Sequence, residues 1–290
     1  MTQIAKRDKK IAMMTTAVVC VVCVIVAFII VLNAVIIPNG KYRNAIALLD
    51  AGSFAEAHEA FVALNGYKDS ADRADAAFCK YETEQLKAAK AGDYVLFGTY
   101  EQDNDNANGK ENVEWLVLEV KEGKALIISK HALDCRPYNT LWGKVTWANS
   151  TIRKWLNDTF LHTAFSSAER AMIADKIVRQ DKNPAYKTEP GHATMDKVFL
   201  LSIDEVNRYF GSDEARMCVP TAYAIANGAW TSDTYTKGDA ATCWWWLRSP
   251  GYVQYNAAGV ISAGSVSCMG SSVSNDCDGV RPALWIKLDS

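Results

Sequence analysis

The sequence predicts an α+β chain in three parts: an N-terminal transmembrane helix, a short α-helical spacer and a C-terminal mixed α/β domain. Three observations carry this division. Ile11 to Ile37 contains no charged residue. Residues 41–91 space their apolar side chains with a helical period, and from residue 92 onward the period shortens to two. At 290 residues the chain also exceeds one average domain.

Residues 1–10 carry Lys6, Arg7, Lys9 and Lys10 and form the predicted cytoplasmic tail. The segment 11–37, interrupted only by Thr15, Thr16 and Asn33, would extend roughly 40 Å as a helix, enough to cross a bilayer core of about 30 Å. It is longer than the roughly 7–15-residue apolar core of a signal peptide. Leu32-Asn33-Ala34 is also a poor cleavage site, so an uncleaved anchor is expected. The basic residues before the anchor outweigh Lys41 and Arg43 after it. That bias places the N-terminus in the cytoplasm and the C-terminal domain outside the cell.

Pro38-Asn39-Gly40 predicts the end of this helix. In the spacer, Tyr42, Ala45, Ile46 and Leu49 make one apolar stripe, and Phe54, Ala57, His58, Phe61 and Leu64 make a second. Ala51-Gly52-Ser53 is the turn between them, and a third helix is predicted from about Ser70 to Ala91. The spacing from Leu48 to Ala57 resembles a tetratricopeptide helix pair, too short to form a solenoid alone. His58 lies on the apolar stripe and reads as a packed histidine.

The domain at 92–290 opens with predicted strands at 94–100, 113–120 and 125–129. The turn from Asp103 to Gly109 echoes the start of an EF-hand loop at Asn104, Asn106, Asn108 and Gly109. Its twelfth position would be Trp115, where calcium requires a bidentate Glu. A hairpin loop is the better account, and calcium is only a minor alternative. Farther on, Ile152, Trp155, Leu156 and Phe160 share a helix face. Ser166 with Glu169, and Ser202 with Glu205, have the spacing of capping boxes. Residues 180–196 and 211–243 read as irregular around a short buried strand at 198–201.

The charge balance, 31 Lys+Arg against 33 Asp+Glu, shows no basic face for nucleic acid. Among the eight cysteines, the six outside the apolar segment contain no C-x-x-C pair. His58, His131, His162 and His192 lack metal-pair spacing, and no nucleophile elbow, phosphate loop or dinucleotide fingerprint occurs. Cys135 or Cys218 with a distant His would be needed for a cysteine nucleophile, and nothing local supports one. Asn275-Asp276-Cys277-Asp278 reads as turn chemistry, although its oxygens could face a cation. No catalytic residue and no metal ligand is assigned.

The stretch Trp244–Leu288 concentrates the remaining information. Trp244-Trp245-Trp246-Leu247-Arg248-Ser249-Pro250-Gly251 and Gly279-Val280-Arg281-Pro282-Ala283-Leu284-Trp285 form stiff ends. Between them lies an insert rich in Ser, Gly, Asn and Ala with two tyrosines, a composition suited to recognition. The same alternation also fits a plain strand meander with polar outward positions.

With Phe97-Gly98-Thr99-Tyr100 and Glu114-Trp115-Leu116-Val117-Leu118, these motifs resemble a family of bacterial extracellular domains of uncharacterised function. The helical section around Gly66-Tyr67-Lys68-Asp69-Ser70 is similar to the partner often found before it. That family looks related to the C-type-lectin-like fold of formylglycine-generating enzymes and of the variable proteins of diversity-generating retroelements. The resemblance implies a C-type-lectin-like domain that displays ligand-binding residues from its C-terminal loops. Trp245, Trp246, Arg248, Pro250, Val280, Arg281 and Pro282 match the frame. Ala257, Ala258, Val260, Gly264, Val266, Gly270 and Val273 would hold the insert from inside.

On that reading the binding residues are Trp245, Arg248, Tyr252, Gln254, Tyr255, Asn256, Ser262, Ser265, Ser267, Met269, Ser271, Ser274, Asn275 and Asp276, with Ile261 also displayed. Ser, Asn, Asp, Tyr, Gly and Ile are reachable from an AAC codon by changing adenines, as retroelement diversification would require. The expected function is therefore a membrane-anchored extracellular binding protein with a hypervariable surface. Its expected partners are the membrane and an extracellular protein or glycan, with no nucleic acid. The alternatives are an extracytoplasmic enzyme of the sulfatase-modifying type, whose reactive cysteines are not matched here, and a structural envelope or adaptor protein.

Overall fold

The long apolar segment is helical and does not stop at Pro38. The computed structural model, which describes residues 2–288, has a helix over Thr2–Val31, a π-helical turn over Leu32–Ile36 and a helix over Ile37–Asp50. Pro38 lies inside this contiguous helical run, directly after the π turn, and forgoes one backbone hydrogen bond there. The wider π turn before it supplies the local adjustment. The expected break is thus corrected to a continuation. The portion Val18–Asp50 is long and apolar enough to cross a membrane. From Val18 to Ile37 its Val, Ile and Phe side chains are exposed.

The described chain divides into two units, one ending at Tyr81 and one beginning at Glu82. In the first, the predicted stripes become helices ending at Asp50 and spanning Phe54–Val62, followed by the start of Ser70–Ala88. Tyr42, Ala45, Ala57, Phe61, Leu64, Ala74 and Ala77 close a small core. The Tyr42 ring meets Phe61 edge-on at 5.9 Å. His58 is packed as expected: Nδ1 lies 3.0 Å from the Ala74 carbonyl, and its ring is 4.9 Å from that of Phe78. The division falls inside the third helix because Leu86 joins the core of the second unit.

The second unit holds fourteen strands among the described residues: β1 (Tyr94–Tyr100), β2 (Glu111–Lys121), β3 (Lys124–Ser129), β4 (Asp134–Cys135), β5 (Lys176–Val178), β6 (Thr194–Asp196), β7 (Val198–Phe199), β8 (Thr231–Lys237), β9 (Ala240–Cys243), β10 (Trp245–Pro250), β11 (Asn256–Val260), β12 (Val266–Ser272), β13 (Gly279–Val280) and β14 (Ala283–Lys287). One sheet runs β1-β2-β3-β14-β7 and is antiparallel throughout. The other runs β12-β11-β10-β13-β4, with β10 and β13 parallel. Two hairpins, β5-β6 and β8-β9, complete the strand set. The class is mixed α+β, with the sheets in the C-terminal part.

The first three strands match their sequence-predicted positions to within two residues. Trp115 is fully buried and its Nε1 donates to the Phe97 carbonyl at 2.7 Å, so it cannot close an EF-hand loop. Residues 103–109 instead lie in the β1–β2 connection. Both capping boxes form, at Ser166 with Glu169 and at Ser202 with Glu205. Residues 211–243 are more ordered than expected, holding helices Asp213–Arg216 and Ala222–Ala226 and the β8-β9 hairpin.

The tryptophans make the core. Trp115, Trp147, Trp245 and Trp246 are fully buried, and each indole N–H has an acceptor. Buried indoles need such a partner because an unpaired N–H in apolar surroundings is costly.

Candidate ligand-binding surface

β10 is the frame of the surface. It pairs with β11 on one side and β13 on the other, and all six of its residues are buried. Trp245 is 0% exposed and Arg248 only 4%, so neither side chain is displayed on the surface of the insert; Arg248 reaches only a separate cleft beside Glu205 and Arg179. These two positions are corrected from binding residues to supports. Trp245 Nε1 donates to the Arg216 carbonyl at 3.1 Å. Arg248 donates to the Leu200 carbonyl at 2.9 Å and grips Glu205 through both terminal nitrogens.

After Pro250 the chain turns out to the surface at 251–255 and returns as β11. Two distant loops clamp this turn. From one, the Val145 N–H donates to the Gln254 carbonyl at 2.9 Å, and the Asn139 N–H to Val273 at 2.7 Å. From the other, Asn183 Nδ2 donates to the carbonyls of Pro250 (2.8 Å) and Cys268 (2.7 Å), and Thr188 Oγ1 donates to Tyr252 at 2.8 Å. Gln254 Nε2 donates in turn to the Glu189 carbonyl at 3.1 Å.

Each clamping loop adds an aromatic ring. Trp142 stacks on Tyr255 with centroids 4.7 Å apart and planes at 28°. Tyr186 meets Tyr252 edge-on at 6.1 Å. Trp142 (69% exposed), Leu141, Tyr186, Tyr252 and Met269 all face solvent. Exposed aromatic groups held by a hydrogen-bonded backbone have the character of binding hot spots, where rigid rings contribute contact area with little lost freedom. Trp142 and Tyr186 were not anticipated. The only sequence cue was a Trp within the polar loop Asn139–Lys144, and nothing local ties it to Tyr255.

The remaining displayed positions fall elsewhere. Ser265 Oγ donates to Asp213 at 2.7 Å, beside Gly264, whose positive φ of +85° lets it lie against the Asp213 backbone. Ser267 Oγ accepts the Gly270 N–H at 3.0 Å. Ser262 is 3% exposed and is corrected to a buried position, because the β11–β12 turn folds it under Thr242. Ser271 and Asn275 hydrogen-bond the Asp278 carboxyl, which burial pushes up to about 6 against their lowering effect. Ser274 pairs with Ser272 at 3.2 Å. Asp276 is exposed and lines a separate cleft of about 370 Å³ with Asp134, Arg136 and Asn227. Asn256 and Ile261 are half-buried. The structure therefore brings Tyr252, Gln254, Tyr255 and Met269 together; Ser265, Ser267, Ser271 and Ser274 are bonded to neighbours, while the buried Ser262 hydroxyl has no partner.

No described cysteine is paired in a disulfide. Burial, with Cys277 and Asp134 nearby, pushes the Cys135 thiol up to about 12, opposite to what a nucleophile needs. Cys218 and Cys243 face each other across an isolated bridge in the interior. Burial opposes ionisation of Cys218, but the Cys243 hydrogen bond and Arg281 outweigh it and lower its thiol to about 7. His131 contacts the Val219 carbonyl at 3.1 Å.

A buried tryptophan frame with clamped, outward aromatic loops characterises this mixed α+β domain. The chain belongs to the family described as a domain of unknown function, DUF6273, whose model matches residues 122–288. That span begins in the β2–β3 turn, yet β1 and β2 are hydrogen-bonded to the same sheet. The folded unit thus extends N-terminal to the matched span. Comparison with curated proteins and with solved structures gives no match.

Proposed function

We propose that this protein is a single-pass, membrane-anchored receptor-like protein that binds an extracellular protein or glycan. Its binding site is the face made by Tyr252, Tyr255 and Met269 with Trp142 and Tyr186. The observation that carries this reading is the stack of exposed Trp142 on half-buried Tyr255, on a turn clamped from both sides. A lone exposed ring needs no explanation, but several held together by backbone hydrogen bonds do. The lectin-like relationship and the diversification of displayed residues are part of this proposal. Tyr252, Tyr255 and Met269 are positions where variation would alter the ligand without touching the buried frame.

The full chain in detergent, probed on protein and glycan arrays, provides the test. Alanine at Trp142, Tyr252 and Tyr255 together should leave the circular dichroism spectrum unchanged and weaken capture by at least ~10-fold, as hot-spot loss does. Capture at wild-type strength by the triple variant would remove the site.

Anchoring rests on the exposed apolar helix surface from Val18 to Ile37, which water solvates poorly. With the N-terminus inside the cell, protease added to intact cells should digest the domain beyond residue 92. Protection of that domain until the cells are lysed would reverse the orientation.

A further inference from the structure

The connection between β1 and β2 gathers three carboxylates. Glu101, Asp103 and Glu111 each offer an oxygen, and these oxygens all lie within 4.8 Å of one another. Oxygens bound to a single calcium ion at about 2.3–2.6 Å can be no farther apart than roughly 5 Å, a condition that these three meet.

Two of the three carboxylates are oriented by the loop itself. Asp103 Oδ1 accepts the Asp105 N–H at 2.8 Å, and its Oδ2 accepts Asn108 Nδ2 at 2.7 Å. Glu111 Oε2 accepts the N–H groups of Gln102 (2.6 Å) and Asp103 (3.3 Å). Glu101 differs. It is 7% exposed, and its enclosed Oε1 has no hydrogen-bond partner. A buried carboxylate oxygen without a donor, beside two other carboxylates, is strongly unfavourable as a charge and takes up either a proton or a cation. No salt bridge reaches any of the three carboxylates among the described residues.

We propose that Glu101, Asp103 and Glu111 form a site for a hard divalent cation of the calcium type. The ion supplies the partner that Glu101 Oε1 lacks and pins the β1–β2 connection. Gln102, between two of the ligands, receives the Tyr223 N–H on its carbonyl at 3.0 Å, so the pinned loop also holds the helix Ala222–Ala226. This site is independent of the aromatic face and differs from the EF-hand spacing. The Asn104 and Asn106 side chains are not among the ligands, although the Asn104 backbone N–H bonds the Glu101 carboxyl, and the negative charges come from positions two and ten residues apart along the chain.

Full-length protein in detergent, stripped with chelator, is titrated with calcium by calorimetry and followed by thermal denaturation. One calcium per chain is expected, with a dissociation constant of roughly 10⁻⁴–10⁻³ M, as in extracellular calcium modules, and a raised Tm. Glu101→Gln and Asp103→Asn should each weaken binding by at least ~10-fold. Asp105→Asn, in the same loop but outside the cluster, should bind as the wild type does. In the chelated state Glu101→Gln should melt no lower than the wild type, which shows that the variant is folded when it fails to bind. Absence of calcium-dependent heat at about 5 mM, several times the weakest affinity expected, overturns the proposal. Undiminished binding by both Glu101→Gln and Asp103→Asn overturns it too.

Discussion

Replacing Glu82 by Gln is expected to leave stability nearly unchanged below about pH 5 and to raise it by several kcal/mol near pH 9. Glu82 is 1% exposed, on the helix Ser70–Ala88. Its Oε1 accepts the Gly98 N–H at 3.0 Å, but its Oε2 has no donor. Burial, and then the neighbouring Glu169 charge, push its carboxyl up to about 9. A carboxyl whose folded pKa lies above its ordinary value binds its proton more tightly in the folded state. That contribution is fully present below about pH 4.5 and is lost as pH rises toward 9. A shift of this size corresponds to an effect on the order of 5 kcal/mol. The glutamine amide keeps the acceptor for Gly98 and adds N–H donors toward Glu169, without a charge to bury. Chemical denaturation at several pH values checks this. A wild type whose stability is flat between about pH 5 and 9 would show that Glu82 is solvated.

Arg248→Met is expected to lower stability by about 3 kcal/mol, in the range for breaking a buried ion pair from one side. The loss has two parts. The Leu200 carbonyl loses its guanidinium donor, and Glu205 loses both contacts. Because Glu205 retains 30% side-chain exposure, solvent recovers part of its charge, which places the estimate at the low end. Arg248→Lys should restore less than half, since an ammonium cannot grip both carboxylate oxygens in the plane of a fork. Urea denaturation of the three proteins at neutral pH is the measurement. A Met variant within about 0.5 kcal/mol of wild type would mean that apolar packing against Phe199 replaces the pair.

Local patterns carried most of the elements. The helical spacer was legible because apolar residues at three- and four-residue spacing can bury one stripe only as helices. The first three strands followed from their period of two, and the helix starts at Ser166 and Ser202 from side chains that cap their own backbone. Pro38 misled because proline usually ends a helix from its interior, but here a π turn just before it accommodates the ring and the missing bond. The interval 211–243 misled because its helices are each five residues or fewer, too short for periodicity to register.

The candidate surface was only half legible. Tyr252, Tyr255 and Met269 stood out as large side chains among small ones within one segment. Trp245 and Arg248 lie in the same segment but are buried, because β10 has a neighbouring strand on each side and both its faces are covered. Trp142 and Tyr186 come from loops more than 60 residues from the tyrosines they touch. Glu101 and Glu111 meet only because β1 and β2 pair in the register that sets Tyr100 opposite Glu111. Composition and period follow from forces acting within one turn or one strand, so the sequence alone was enough for the long apolar segment, the N-terminal helices and the α+β class. Which side chains share a surface depends on strand register and on long-range backbone hydrogen bonds, and those exist only once the chain has folded.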